Sequence, residues 1–359
     1  MTLRVLFATD HIHFPQGGGG AERNTHELCL ALRGQDVLPA VSCSLRADHS
    51  WLSWRNRIRR KLPPGHEFIE DSVCGYPVFR GWRQDRVGEV VRRFRPDVVV
   101  VQSTHPENLL RALAPCGVPV AVYFHEVEEI GHLAALAGSG LTVLANSDFT
   151  AARLLEVCGL RCRVVLPLID PRSYRVETHP GRVLFVNTVP RKGLDIAFGL
   201  AERRPDIPFD FVLSWILPPE RVAQLSARAA AAGNIVLHPP TRDMRRLYAR
   251  AKIVLAPSQW EEAWGRVATE AHVNGIPVLG SDRGGLPQAI GPGGLVVPAD
   301  APIETWLAAL DRIWNDPSPY IAQAKTYATR PEIQPETIVA ALKRILEDAA
   351  ARRGTQPSG

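Results

Sequence analysis

A chain of 359 residues has room for two domains, each with its own buried core. Hydrophobic residues make up 45% and charged residues 22%, the balance of a globular protein, and no apolar run approaches the roughly 18 residues of a membrane span. The net charge of +5 points to anionic partners: nucleic acid, anionic lipid or a phosphate-bearing substrate.

The opening run RVLFATD (4–10) predicts a strand. It is too brief for a signal peptide, and Asp10 ends it without a small-residue cleavage site. Next comes GGGGAE (17–22), then AERNTHELCLALRGQ (21–35), a predicted helix closed by Gly34. Four glycines let the backbone approach a ligand closely and take positive φ. Such a loop, after a first strand and before a helix, suits an anion or a sugar. It is not a dinucleotide fingerprint, because Glu22 stands where a glycine is needed, and no GK[ST] follows to make a Walker loop.

WLSWRNRIRRKLPPG (51–65) carries five basic residues, with Trp51, Leu52, Trp54, Ile58 and Leu62 among them. The pattern fits an anionic membrane surface. It also fits a nucleic acid, or a solvated helix in a surface loop. Continuous apolar runs at 97–103, 118–126 and 140–147 predict strands covered on both faces, with helices near 86–95, 106–114 and 148–158 between them. This is a βαβ series. The six cysteines are scattered and read as small core hydrophobes in a reducing compartment, including Cys158 and Cys162, which have no second pair to complete a metal site.

The stretch 166–181 holds three prolines and no period, which places a domain boundary there. A second series follows, with predicted strands at 182–188, 209–215, 234–240, 252–258 and 276–282. An amphipathic helix at 335–350 ends it. The expected architecture is α/β, with two doubly wound Rossmann-like domains facing a cleft and ligands at the carboxyl ends of the strands.

Within WEEAWGRVATEAHVNGIPVLGSDRGG (260–285), Glu262 precedes a predicted helix and Glu270 lies in its second turn. The helix start near Gly265 and Arg266 offers free amides and a positive dipole end, which suits a phosphate. A sugar–diphosphate–ribose ligand would engage both carboxylates and the helix end. Alternatively, Glu262 is a cap and Glu270 a solvated acid. NTVPRKG (187–193) sets Arg191 and Lys192 beyond a strand, where cations can stabilise a departing diphosphate. His125, at another strand end, is followed by Glu126, Glu128 and Glu129, which with His132 form a weak metal-site candidate lacking helical i, i+4 spacing. No DxD occurs, so a metal-bridged diphosphate is not indicated.

Taken together, GGGGAE (17–22), FHE (124–126), PRKG (190–193) and PSQWEEAWGRVATEAHVNGIPVLGSDRGG (257–285) resemble the retaining glycosyltransferases of glycosyltransferase family 4, which have the GT-B fold. The resemblance implies an acceptor-side domain over 1–168, a nucleotide-sugar domain over 169–334, and the helix at 335–350 packing back on the first. It implies catalytic roles for His125, Lys192 and Glu262. It implies donor contacts at Gly19, Gly20, Asn187, Arg191, Lys192, Met244, Glu262, Ala263, Trp264, Gly265, Arg266, Val267 and Glu270. Glu262 would bind donor-sugar hydroxyls and Glu270 the ribose. The family arginine five positions before the lysine is Asn187 here, leaving Arg191 or Arg266 to supply that charge.

The implied activity is metal-independent transfer of a sugar from a nucleoside diphosphate to an acceptor hydroxyl with retention. Its expected setting is the cytoplasm or the inner membrane face, in bacterial glycan, lipopolysaccharide or glycosylated natural-product biosynthesis. The acceptor would be a glycan, a lipid-linked sugar or a small molecule; no cofactor, metal or nucleic acid is expected. A GT-B epimerase or phosphorylase and a non-catalytic nucleotide-sugar binder are the alternatives.

Overall fold

The structure, a computed structural model, describes residues 2–48, 50–61, 66–214 and 217–352. Position 215 of one predicted strand and positions 62–65 of the basic segment lie outside the described residues. The chain divides into two units: Met1–Leu168 with the stretch from Pro335 onward, and Ile169–Gln334.

The first unit holds β1 (Leu3–Ile12), β2 (Val37–Ser44), β3 (Ile69–Asp71), β4 (Val78–Gly81), β5 (Val98–Val101), β6 (Val120–Phe124), β7 (Thr142–Ala145) and β8 (Arg163–Val164). Their order in the sheet is β3-β4-β2-β1-β5-β6-β7-β8, parallel except for β3. Between them run α1 (Gly20–Leu32), α2 (Trp51–Lys61), α3 (Gly88–Phe94), α4 (Glu107–Leu113) and α5 (Asp148–Cys158). The Val98–Val101 run is fully buried, as a strand covered on both faces must be.

β2 escaped the sequence reading because Pro39 interrupts it. The Val41 amide donates to the Pro77 carbonyl on the β4 side. Pro39, two residues earlier, turns its nitrogen the same way, where β4 pairing has not begun, so no ladder bond is lost.

The second unit holds β9 (Arg182–Val186), β10 (Phe209–Val212), β11 (Ile235–His238), β12 (Ala251–Ala256), β13 (Val278–Ser281) and β14 (Gly294–Val297). These make an all-parallel sheet of order β11-β10-β9-β12-β13-β14. Its helices are α6 (Leu194–Arg203), α7 (Pro219–Ala232), α8 (Arg245–Tyr248), α9 (Arg266–His272), α10 (Leu286–Ile290), α11 (Ile303–Asn315) and α12 (Ser318–Ala328). Phe198, Phe211 and Trp306 are fully buried in its core.

The chain then returns to the first unit as α13 (Pro335–Ala351), which packs against α1, β5 and β6. Ile338, Leu342, Ile345, Leu346 and Ala349 form its buried stripe at helical spacing.

Each sheet has one place where strand order reverses: β1 beside β5 in the first, β9 beside β12 in the second. Loops leaving the carboxyl ends of the two strands diverge there and open a crevice, the usual ligand position of such sheets.

Candidate functional site

In the second unit, the loop after β9 carries Lys192 and the loop after β12 carries Glu262. The order reversal brings these residues, 70 apart in sequence, to 2.5 Å between Nζ and Oε1. Ser258 donates to the same Glu262 oxygen at 2.7 Å, and Ser281 donates to the Ser258 carbonyl at 2.7 Å. The backbone holds this arrangement as well. Gly193 has φ +82, and a Cβ there would lie 2.0 Å from the Pro257 carbonyl oxygen. Gly284 has φ +64 and bridges to Glu262, leaving no space for a side chain. Both glycines are therefore required by close backbone approach.

Glu270 lies in the second turn of α9, half-buried, and accepts from Tyr248 Oη at 2.8 Å. Arg266, one turn earlier, faces it at 3.4 Å and donates to Tyr174 Oη at 3.1 Å. Burial, and then the Glu270 charge, push the Tyr248 phenol up, so it remains a proton donor. Neither glutamate matches the alternatives of a helix cap or a solvated acid: α9 has no side-chain cap, and both carboxylates are paired.

Ala263 and Trp264 are buried, and the Trp264 indole donates to Thr269 Oγ1 at 3.0 Å. Gly265 takes φ +90 against Leu286, and α9 begins at Arg266, followed by Val267. This leaves backbone, not the Trp264 ring, to face a ligand. Met244 stands half-buried before α8, its carbonyl accepting from Leu247 and Tyr248.

Asn187 adopts φ +68, a left-handed turn that asparagine tolerates better than most residues. Of the two arginines considered for its missing charge, Arg266 is engaged by Glu270 and Tyr174. The Arg191 guanidinium lies 4.3 Å from the Trp260 ring, and Lys192 Nζ lies 5.4 Å from the same ring. Arg191 is thus the cation that shares an aromatic surface with Lys192. Trp260 Nε1 and the fully buried Thr188 Oγ1 are polar atoms without partners in this region.

In the first unit, a small pocket opens at the β1/β5 reversal, lined by Glu22, Thr25, Gln102, His125 and Glu126 among others. Thr25 donates to Gln102 Oε1 at 2.8 Å, which turns the Gln102 amide nitrogen onto His125 Nε2 at 2.9 Å. Glu126 accepts from Thr104 Oγ1. Burial pushes the Glu22 carboxyl up, with the nearby Glu126 charge adding to the rise.

The glycine loop corrects one expectation. No residue of 17–20 has positive φ. Gly19 is extended before α1 (which begins at Gly20), and its missing Cβ makes room for the Glu22 carboxylate, 2.4 Å from where that carbon would stand.

The five-residue metal candidate around His125 does not assemble: His132 pairs with Glu107, and Glu126 with Thr104. Among the described residues, the groups close enough to share an ion are His13, His26 and Cys74, and separately His105, Glu107 and His132. Neither includes a predicted donor residue. The sequence reading missed Tyr174, Tyr248, Ser258, Trp260, Thr25 and Gln102 as members of these networks. Ser258 alone carried a signal, one helical turn's spacing before Glu262 at the end of β12.

Two Rossmann-like parallel sheets with polar groups at their switch points are the scaffold of GT-B glycosyltransferases. The family model described as Glycosyl transferases group 1 matches residues 182–331, and that of Glycosyltransferase Family 4 matches residues 18–173. A D-inositol 3-phosphate glycosyltransferase of Arthrobacter sp. is 30% identical over 75% of this chain and 68% of its own length. The enzyme of the same name from Streptomyces bingchenggensis is 36% identical over 65% of this chain, which spans only 44% of that enzyme. The crystal structure of Anabaena Alr3699/HepE in complex with UDP-glucose superimposes with TM-score 0.75, covering 96% of this chain and 100% of that one at 17% identity. The chain belongs to the group 1 glycosyltransferases, in glycosyltransferase family 4.

Proposed function

We propose that the protein transfers a sugar from a nucleoside diphosphate to an acceptor hydroxyl, retaining the anomeric configuration and using no metal. The bacterial setting is glycan, lipopolysaccharide or natural-product glycosylation at the inner membrane face. The observation that carries this reading is the Lys192–Glu262 pair at the β9/β12 reversal, with Arg191 beside it and Glu270 five residues into α9.

Glu262 binds donor-sugar hydroxyls, releasing Lys192 to the diphosphate. Lys192 and Arg191 stabilise the charge gained by the leaving phosphate, and the amides at Gly265, Arg266 and Val267 add their dipoles. Glu270, positioned by Tyr248 and Arg266, binds the ribose. By resemblance to the family, His125, held by Gln102, touches the donor sugar. The acceptor attacks from the face the nucleotide leaves, and the departing phosphate takes its proton. Positioning and leaving-group stabilisation then supply most of the catalysis.

The test is turnover of a panel of UDP-, GDP- and dTDP-sugars, beginning with UDP-glucose, which the Anabaena structure holds. Nucleotide release without acceptor, and the first anomer formed, are read by NMR. An α-linked donor should yield the α-sugar first. Glu262→Ala removes a charged acceptor with two donors and should lower turnover by roughly 10²–10³-fold while the chain stays folded at the assay temperature, as read by circular dichroism. The inverted anomer, or full activity in that variant, would overturn the reading.

A further inference from the structure

α2 is built inside out. Its residues follow at 100° intervals, so Trp54, Ile58 and Trp51 share an arc of about 60°. That arc faces away from the protein: Trp51 is 64% exposed, Trp54 61% and Ile58 41%. The opposite face is the buried one, and it is made of Leu52, Ser53 and Asn56. A helix folding only for its own unit would turn its tryptophans inward. Exposed Arg57 and Lys61 border the stripe on one side and exposed Arg59 on the other, and the helix contains no acid.

The helix is also fixed in this orientation. Arg55 reaches the buried Asp71 at 3.6 Å while its guanidinium lies 4.9 Å from the Trp51 ring. Ser53 Oγ donates to the Arg46 carbonyl at 3.0 Å, and Gln16 Nε2 donates to the same carbonyl at 3.1 Å. Gln16 immediately precedes the glycine loop, whose helix carries Ala21, Glu22 and Thr25 into the cavity wall.

We propose that the Trp51–Trp54–Ile58 face docks on an anionic lipid bilayer, and that this presents the first-unit cavity to an acceptor carried in that bilayer. The inference deepens the transferase reading and rests on it for the acceptor. Two indoles and an isoleucine enter the headgroup boundary, where tryptophan is favoured, and the flanking cations meet lipid phosphates. Charge complementarity selects the bilayer over a second copy of this chain, which would bring cations against cations.

The full chain is floated with phosphatidylcholine vesicles with and without phosphatidylglycerol. It should bind only the anionic vesicles and leave them in molar salt. Arg57→Gln with Lys61→Gln should weaken binding roughly 25-fold, about fivefold per cation. Trp51→Ser with Trp54→Ser and Ile58→Ser should weaken it roughly tenfold or more. All five positions face outward, so melting temperature and acceptor-free donor hydrolysis stay at the parent level. The proposal is overturned if the parent ignores anionic vesicles, if the serine variant floats as well as the parent, or if the face instead holds a dimer or binds nucleic acid. Donor hydrolysis that is absent from every protein would instead count against the transferase reading, and flotation would still decide the docking.

Discussion

The two units place polar groups at the same topological position and treat charge in opposite ways. In Ile169–Gln334 the charges are kept and cancelled in pairs, Lys192 with Glu262 and Arg266 with Glu270. In the first-unit cavity, burial works against charge on two of the lining groups. Burial, helped by Arg80 and His26, lowers His13 to about 3, and burial raises Glu22. His125 Nε2 lies 2.9 Å from the Gln102 amide nitrogen. A paired site can open to admit a charged ligand and re-form the same number of ionic contacts. A cavity lined by hydroxyl, amide and imidazole groups offers hydrogen bonds to a hydroxyl-bearing molecule. The contrast suits a nucleotide diphosphate in one unit and an acceptor in the other.

The largest effect that sharpens this contrast comes from backbone. Gly284→Ala places a Cβ 2.2 Å from the Glu262 carbonyl oxygen at φ +64. The collision with backbone cannot be relieved by a rotamer change, and the variant should lose roughly 2–4 kcal/mol of stability and bind donor poorly. Gly117→Ala in the first unit is the matched control, at φ +59 with nothing within 4 Å. It should lose only about 1 kcal/mol. Urea midpoints for the two variants measure the difference, and equal losses would show that the Glu262 loop is not held by this contact.

Acid comes next. His13 is lowered to about 3 and His272, in the second unit, to about 4, both chiefly by burial. Above pH 6.5 folded and unfolded chains are equally unprotonated at these sites. As pH falls below 6.5 the unfolded chain takes up protons that the folded chain refuses, so stability falls until the folded values are reached. At pH 5 the loss is about 2 kcal/mol per histidine. Glu22 works in the opposite sense, because its raised carboxyl binds a proton more readily when folded and lends stability as pH falls. In the first unit this gain opposes the losses at His13 and His26, both lowered chiefly by burial. Denaturant midpoints from pH 7.5 down to 5 should slope downward, and His272→Gln should flatten the slope. An unchanged slope in that variant would locate the acid sensitivity elsewhere.

Much of this site could be read from the sequence because its members sit on short segments that directly follow strands. Lys192, Glu262 and Glu270 carried their spacing with them, and strand alternation placed them at carboxyl ends. What holds these residues was hidden. Tyr248 reaches Glu270 across 22 residues and Tyr174 reaches Arg266 across 92, contacts that only the packing of α8 and the linker creates. Gln102 read as the polar end of a strand until β5 and β6 were set side by side, with His125 beyond the second. The glycine loop follows the first strand as expected, but without the positive φ expected of it: Gly19 instead makes room for the Glu22 carboxylate. α2 showed its composition in the sequence, but not which face turns outward, since Ser53 and Asn56 do not look like an anchoring surface.

The smallest effect probes the pairing rule itself. Tyr248→Phe removes one hydrogen bond to Glu270 and leaves the Arg266 contact at 3.4 Å in place. The fully buried ring keeps its packing, so the fold should tolerate the change. If Glu270 serves the ribose, far from the reacting bond, its looser orientation weakens ground-state and transition-state binding alike. The donor KM should then rise about fivefold, the equivalent of one hydrogen bond of about 1 kcal/mol, with kcat unchanged. Steady-state kinetics with saturating acceptor separates the two constants. A fall in kcat at constant KM would place Glu270 among the groups that act only in the transition state, and the division between a ribose carboxylate and a sugar carboxylate would have to be redrawn.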